Sequence, residues 1–275
     1  MVSWQLLLHS VRLTITYSES MTGIPRQITL VLATLLTLVM NYLSNALPLF
    51  GNSNGQVSDS LPNAFTPAGL TFAIWGVIFL GLAVFAVYQA LPGQRGARYD
   101  ALFWPYLLAN LLNVGWLLAF QSLHFGLSVL IMLTLLASLI WLYTRLRSLE
   151  LKRSETLVLG LPTSLYLGWI AVATIANVTA WLVSLGYTSG LLGLSGPIWS
   201  ALLVVIASLI GAFLLRANRD LAVSGVILWA YYGVYLARPD ATIVLSGLIV
   251  GVLILLAAVF VRSGKPGSGA RRLTA

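Results

Sequence analysis

The side chains able to do chemistry in this sequence are few: nine tryptophans, two histidines, seven carboxylates and no cysteine. Three tryptophans, Trp75, Trp116 and Trp169, stand deep in apolar stretches, and each has companions at helical spacing. Phe72 and Phe79 flank Trp75 at minus three and plus four. Asn113 precedes Trp116 by three residues, with Asn110 one turn earlier. Tyr166 precedes Trp169 by three, and Asn177 follows it by eight. Residues three and four apart share one helix face. An Asn amide in hydrocarbon needs a hydrogen-bond partner, so these faces should turn inward, away from lipid. Inward rings with a few amides describe the lining of a site for a flat, mostly apolar ligand. The same pattern also suits rings and amides that only pack a helical bundle and hold it together.

Other chemistries are excluded by residue type. Without cysteine there is no disulfide, thiolate metal site or thiol nucleophile. The histidines, His9 and His124, lie near the N-terminus and in a tight turn, so no metal site is expected. Glu19, Asp59, Asp100, Glu150, Glu155, Asp220 and Asp240 fall in loops or at helix ends. Ion-coupled transporters place ionisable groups near the bilayer centre, and none stands there. No catalytic constellation is legible.

The elements that must position the rings follow from composition. Hydrophobic residues make up 59% of the chain, charged residues 8%, and the mean hydropathy is +0.93; a soluble domain carries about 25% charged residues. A span needs about 20 apolar residues. Such runs fall at 28–48, 67–91, 102–122, 125–146, 162–184, 196–216, 221–237 and 240–261. The fold class is therefore all-α, a polytopic membrane bundle of eight transmembrane helices. The run 221–237 is the shortest and ends in Tyr231, Tyr232 and Tyr235, rings that suit a headgroup boundary.

The formal charge of +8 is a topology signal. With eight spans, all fifteen Lys and Arg except Arg238 fall on one side, including Arg26, Arg95, Arg98, Arg145, Arg147, Arg216 and Arg219. The positive-inside rule makes that side cytoplasmic and places both termini there, in the cell (inner) membrane. Scattered over short loops, these charges form no basic stripe, so no nucleic-acid partner is expected. Segment 1–26 lacks a secretory apolar region, and Met21 stands just before the first span as an alternative start. The loop 49–66, rich in Gly, Asn and Ser, is expected to fold as an irregular outer cap. Pro67 follows it at the mouth of the second span. Gly247 with Gly251, and Ala207 with Gly211, are four-residue small pairs that let helices approach closely.

Three of these segments together resemble a known family. Phe65 to Gly76, with Pro67, Phe72 and Trp75, resembles the start of helix two in the TspO/MBR family, the tryptophan-rich sensory or translocator proteins. Asn113-Val114-Gly115-Trp116 resembles its Asn-x-x-Trp in helix three. Tyr166-Leu167-Gly168-Trp169 with Asn177 is similar to its helix-five pattern. The resemblance covers about residues 27–187. It implies a five-helix bundle with a cavity open toward the long first loop, porphyrin, sterol-like or other hydrophobic ligands, and homodimers in many members. It further implies that Trp75 and Trp169 face the ligand, with Tyr166, Asn113 and Trp116 around them. No cofactor would be obligatory, a porphyrin or haem-like molecule being the ligand.

Two departures bear on function. Gly69 stands where the family usually carries a second Trp, six residues before Trp75, and residues 177–190 hold no Lys or Arg to complete its sterol motif. The last three spans have no counterpart in the compact family. The expected organisation is a cytoplasmic segment 1–26, the five-helix bundle 27–188, a three-helix extension 189–262 and a cytoplasmic tail 263–275. The expected function is a sensory or regulatory membrane protein that holds a tetrapyrrole-like ligand among its tryptophans. A carrier for an amphipathic solute and a light-dependent porphyrin-degrading activity are the alternatives.

Overall fold

A computed structural model describes residues 22–260 apart from 48, 62 and 189. The alternative start at Met21 and the tail 263–275 lie outside the described residues. Among the described residues eight long helices run along the chain: α1 Gly23–Ala46, α2 Gly69–Ala90, α3 Ala97–Gln121, α4 Phe125–Arg147, α5 Arg153–Ser184, α6 Gly196–Asn218, α7 Leu221–Ala237 and α8 Thr242–Phe260. Seven are long and apolar enough to cross a membrane; α7, with 17 residues, is shorter. At about 1.5 Å per residue it spans roughly 25 Å. A helix satisfies its backbone polar groups internally, which is why apolar runs of this length fold this way in lipid. The faces turned outward carry Leu80, Val87, Leu130, Ile249 and Leu253, all exposed, and suit contact with acyl chains.

Helices α1 to α5 enclose one bundle, in which α3 packs on α1 and α4, and α5 on α4. After α5 the chain turns through a short hairpin, β1 Gly190–Leu191 and β2 Leu194–Ser195, and α6 and α8 then pack closely along each other. The small residues sit at that contact. A Cβ at Gly247 would come 2.8 Å from Ala201 Cα, and one at Gly251 would come 2.5 Å from Ser208 Oγ. Close backbone approach is the main adhesive between helices in lipid. Helix α7 joins the two sets by lying against α5, where a Cβ at Gly168 would meet Val223 Cα at 3.2 Å. Tyr231 faces inward in this arrangement. Its hydroxyl donates to the Val204 carbonyl at 2.6 Å, and it is Tyr232 and Tyr235 that are exposed.

The loops separate into two chemically unlike ends. At one end Arg26 bonds Asp100 at 2.7 Å and the Gln94 carbonyl, while Arg98 bonds Glu155 at 3.1 Å. Tyr99 donates to the same carboxylate at 2.5 Å, and Arg147 donates to the Asn218 carbonyl at 2.8 Å. Arg238 is at the other end, on the 49–66 loop. That loop is less irregular than expected. Ser53 and Gln56 form a capping box that starts a six-residue helix, Asn54–Asp59.

Candidate functional site: an indole-lined hollow under the first loop

Three helices bring the deep tryptophans together. Trp75 of α2 stacks on Phe79, centroids 5.3 Å apart, and on Trp116 of α3 at 6.3 Å. It meets Trp169 of α5 edge-on at 6.1 Å and Tyr166 at the same distance. Phe72 stands edge-on to Trp169 at 5.9 Å, and Trp116 stacks on Phe120 at 5.4 Å. Each such pair adds about 0.5–1.5 kcal/mol beyond its burial. The rings do not fill the space between them. They border a cavity of about 330 Å³, completed by Val172, Ala173, Ala176 and Ala180 of α5 and by Asn41 and Asn45 of α1. Ser53, Asn54, Gly55, Ser58 and Asp59 of the cap helix roof it, and Pro67 and Gly69 stand at its mouth.

Polar groups behind the rings are bonded to one another. Asn41 donates to Asn113 Oδ1 at 2.7 Å, and Asn113 donates to the Tyr166 hydroxyl at 2.9 Å. The Trp116 indole N–H donates to Asn177 Oδ1 at 2.6 Å, while Asn177 Nδ2 donates to Ser128 at 2.9 Å. These bonds tie α1, α3, α4 and α5 together and fix the orientation of the Trp116 indole. The ring Nε1 of Trp169 is different: it is buried, in a side chain that lines the cavity, and has no hydrogen-bond partner.

Of the residues chosen from sequence, Pro67, Phe72, Trp75, Phe79, Trp116, Trp169 and Asn177 line the cavity. Asn113 and Tyr166 stand one layer behind. Asn110 lies off the lining, donating to the Tyr106 carbonyl of its own helix at 2.9 Å while its backbone carbonyl accepts from Thr37. Sequence reading missed Asn41, Asn45, Phe120 and the cap helix. Asn41 and Asn45 were within reach as amides four apart in an apolar run, and Ser53 with Gln56 as a capping box. Asp59 is the one carboxylate among the described lining residues, which include no Lys or Arg.

Helix α7 holds the mouth. The Ala68 N–H donates to the Gly233 carbonyl at 2.9 Å, and the Trp229 indole donates to the Thr71 carbonyl at 2.9 Å. Gly233 packs directly on Pro67 and Thr71, leaving no room for a Cβ. Arg238 donates to the carbonyls of Thr66, at 3.2 Å, and Asn63. Burial lowers the pKa of this guanidinium. Gly69 faces open space: nothing lies within 4 Å of a Cβ built there.

A family model described as TSPO-like protein matches residues 27–261, a range that takes in the cavity and runs from the first turn of α1 through the end of α8. Comparisons with curated proteins and with solved structures gave no match.

Proposed function

The chain belongs to the TSPO-like protein family, a multi-pass membrane protein, and on that premise we propose that it binds a flat, hydrophobic, tetrapyrrole-like ligand among Trp75, Trp116 and Trp169. The observation that carries this reading is the unfilled hollow between three indoles whose polar neighbours are bonded behind them. Affinity comes from ring burial at about 25 cal/mol per Å² and from stacking on the indoles. The Trp169 N–H supplies one donor for an acceptor on the ligand. A volume of about 330 Å³ is at the small end of the roughly 300–1,000 Å³ of ligand pockets. A macrocycle therefore enters by one edge, its remainder lying under the cap and toward the space at Gly69. With Asp59 as the lining carboxylate, propionates point outward to solvent. The basic end faces the cytoplasm by the positive-inside rule, so the cap and mouth open on the opposite side of the cell (inner) membrane. The role that fits a pocket without intramembrane charges is sensory or regulatory.

Purified full-length protein titrated with protoporphyrin, with tryptophan quenching as the readout, tests the proposal. A Trp75→Phe, Trp169→Phe double variant is expected to bind at least tenfold more weakly while keeping its helical circular dichroism. Unchanged affinity overturns the site. Illuminating the complex and recording its absorption distinguishes binding alone from conversion of the pigment.

A further inference from the structure

The basic end of the bundle carries a second hollow, of about 410 Å³, between the end of α4, the start of α5 and the turn from α6 to α7. Its lining is layered. Arg147 and Arg219, both exposed, stand over it, and Leu157, Leu161 and Leu221, also exposed, continue its wall outward where acyl chains lie. Tyr143 also lines it, 6% exposed, with a hydroxyl that has no hydrogen-bond partner.

The carboxylate in this hollow is already engaged. Asp220 caps α7, accepting from the N–H groups of Ala222 at 3.0 Å and Val223 at 3.3 Å, and its second oxygen accepts from Ser164 at 2.6 Å. The Tyr143 hydroxyl faces Asp220 and Asn218, just beyond hydrogen-bond distance of either. Arg147 gives one bond to the Asn218 carbonyl, and a guanidinium has five N–H donors. Arg219 takes the left-handed conformation, φ 55°, that ends α6. The hollow thus offers two guanidinium groups with free donors, and an apolar ramp beside them.

That combination recognises a phosphate attached to hydrocarbon. Arginine matches phosphate with paired N–H donors, and basic pockets between membrane helices at the cytoplasmic side suit anionic headgroups. We propose that this hollow holds the phosphate of an anionic phospholipid, with an acyl chain along Leu157, Leu161 and Leu221. This site stands independently of the tryptophan-lined cavity.

The test uses full-length protein in nanodiscs of phosphatidylcholine containing a fluorescent phosphatidylglycerol. The wild type should enrich phosphatidylglycerol over labelled phosphatidylcholine. An Arg147→Gln, Arg219→Gln double variant should lose at least fivefold of that preference. An Arg95→Gln, Arg153→Gln variant removes the same charge from the same end and should leave the preference unchanged. Equal loss in that control overturns the proposal in favour of diffuse surface attraction, as does a wild type with no preference. Displacement of the lipid by millimolar inorganic phosphate also overturns it, since a soluble anion is then the occupant. Thermal unfolding of each variant separates lost binding from lost fold.

Discussion

Two indoles that both pack against Trp75 should respond unequally to the same substitution. Trp116→Phe deletes the donor that Asn177 Oδ1 receives at 2.6 Å, leaving that oxygen only a 3.4 Å approach from Ser128. A buried acceptor left in this state costs about 1–3 kcal/mol, and the lost half of the indole removes about 1 kcal/mol of packing. Trp169→Phe loses similar packing but also removes a buried N–H that has no partner, which returns about 1–3 kcal/mol. The first variant should therefore be destabilised by about 2–4 kcal/mol and the second by little or nothing. At roughly 2–4 °C per kcal/mol for a protein of this size, the melting temperatures should differ by at least about 4–8 °C. Circular dichroism during heating in detergent measures this without ligand. Porphyrin titration should then reverse the order, with Trp169→Phe losing more affinity than Trp116→Phe. If Trp169→Phe melts as low as Trp116→Phe, its N–H is satisfied within the protein, and the assignment of a free donor to the cavity fails.

Three further outcomes follow from named contacts. Asp59→Asn should tighten binding of a dicarboxylic porphyrin by roughly 1.5–5-fold, the range of an exposed charge pair at 0.2–1 kcal/mol, and leave its dimethyl ester unaffected; equal effects on both would mean that propionates do not approach the cap. Arg238→Ala removes the two bonds that fasten the cap to α7 and should raise the ligand off-rate about tenfold, equivalent to about 1.4 kcal/mol; an unchanged stopped-flow rate would show that the cap is held without it. Gly247→Val forces the α6–α8 contact apart, since its Cβ lies 2.8 Å from both Ala201 Cα and Ala201 Cβ; overpacking of this kind costs about 1–3 kcal/mol. It should lower the melting temperature while porphyrin affinity holds, and parallel loss of both would couple α8 to the cavity.

The spans were legible because an apolar run near the thickness of the hydrocarbon core has few alternatives to a helix. Their boundaries at the basic end were less so. Helix α3 starts at Ala97 rather than near 102, and α5 at Arg153 rather than near 162. Those extra turns carry Arg98, Tyr99 and Glu155, polar and charged residues that a hydropathy reading rejects but that bond to one another across the two helices. The rings of the site were legible for a local reason: Asn113 with Trp116 and Tyr166 with Trp169 announce a shared face by their spacing. Asn41 showed only its spacing from Asn45, because its partner Asn113 lies 72 residues away. Tyr231 read as a boundary residue for the same reason, its partner Val204 being on another helix. Asn110 obeys the same spacing as Asn113 yet bonds within its own helix, so spacing identified the face but not the depth of the cavity.

Helix α7 attaches at the mouth of the cavity. The residues from Asn63 to Thr71 carry the mouth, and four of their backbone groups bond to Trp229, Gly233 and Arg238. The α2 start needs such support, because it opens as a 3-10 turn, whose hydrogen bonds are poorer than those of an α-helix, directly after Pro67, which has no N–H to give. Without α7, the Ala68 N–H and the carbonyls of Asn63, Thr66 and Thr71 would need other partners in or near lipid, where an unpaired backbone group costs several kcal/mol. The close seat of Gly233 on Pro67 and Thr71 fixes the distance of α7 from that turn, and Gly168 fixes it from α5, the helix that carries Trp169. One helix thereby sets the mouth and one indole-bearing wall against each other, so α7 belongs to the structure of the cavity rather than to a separate appendage.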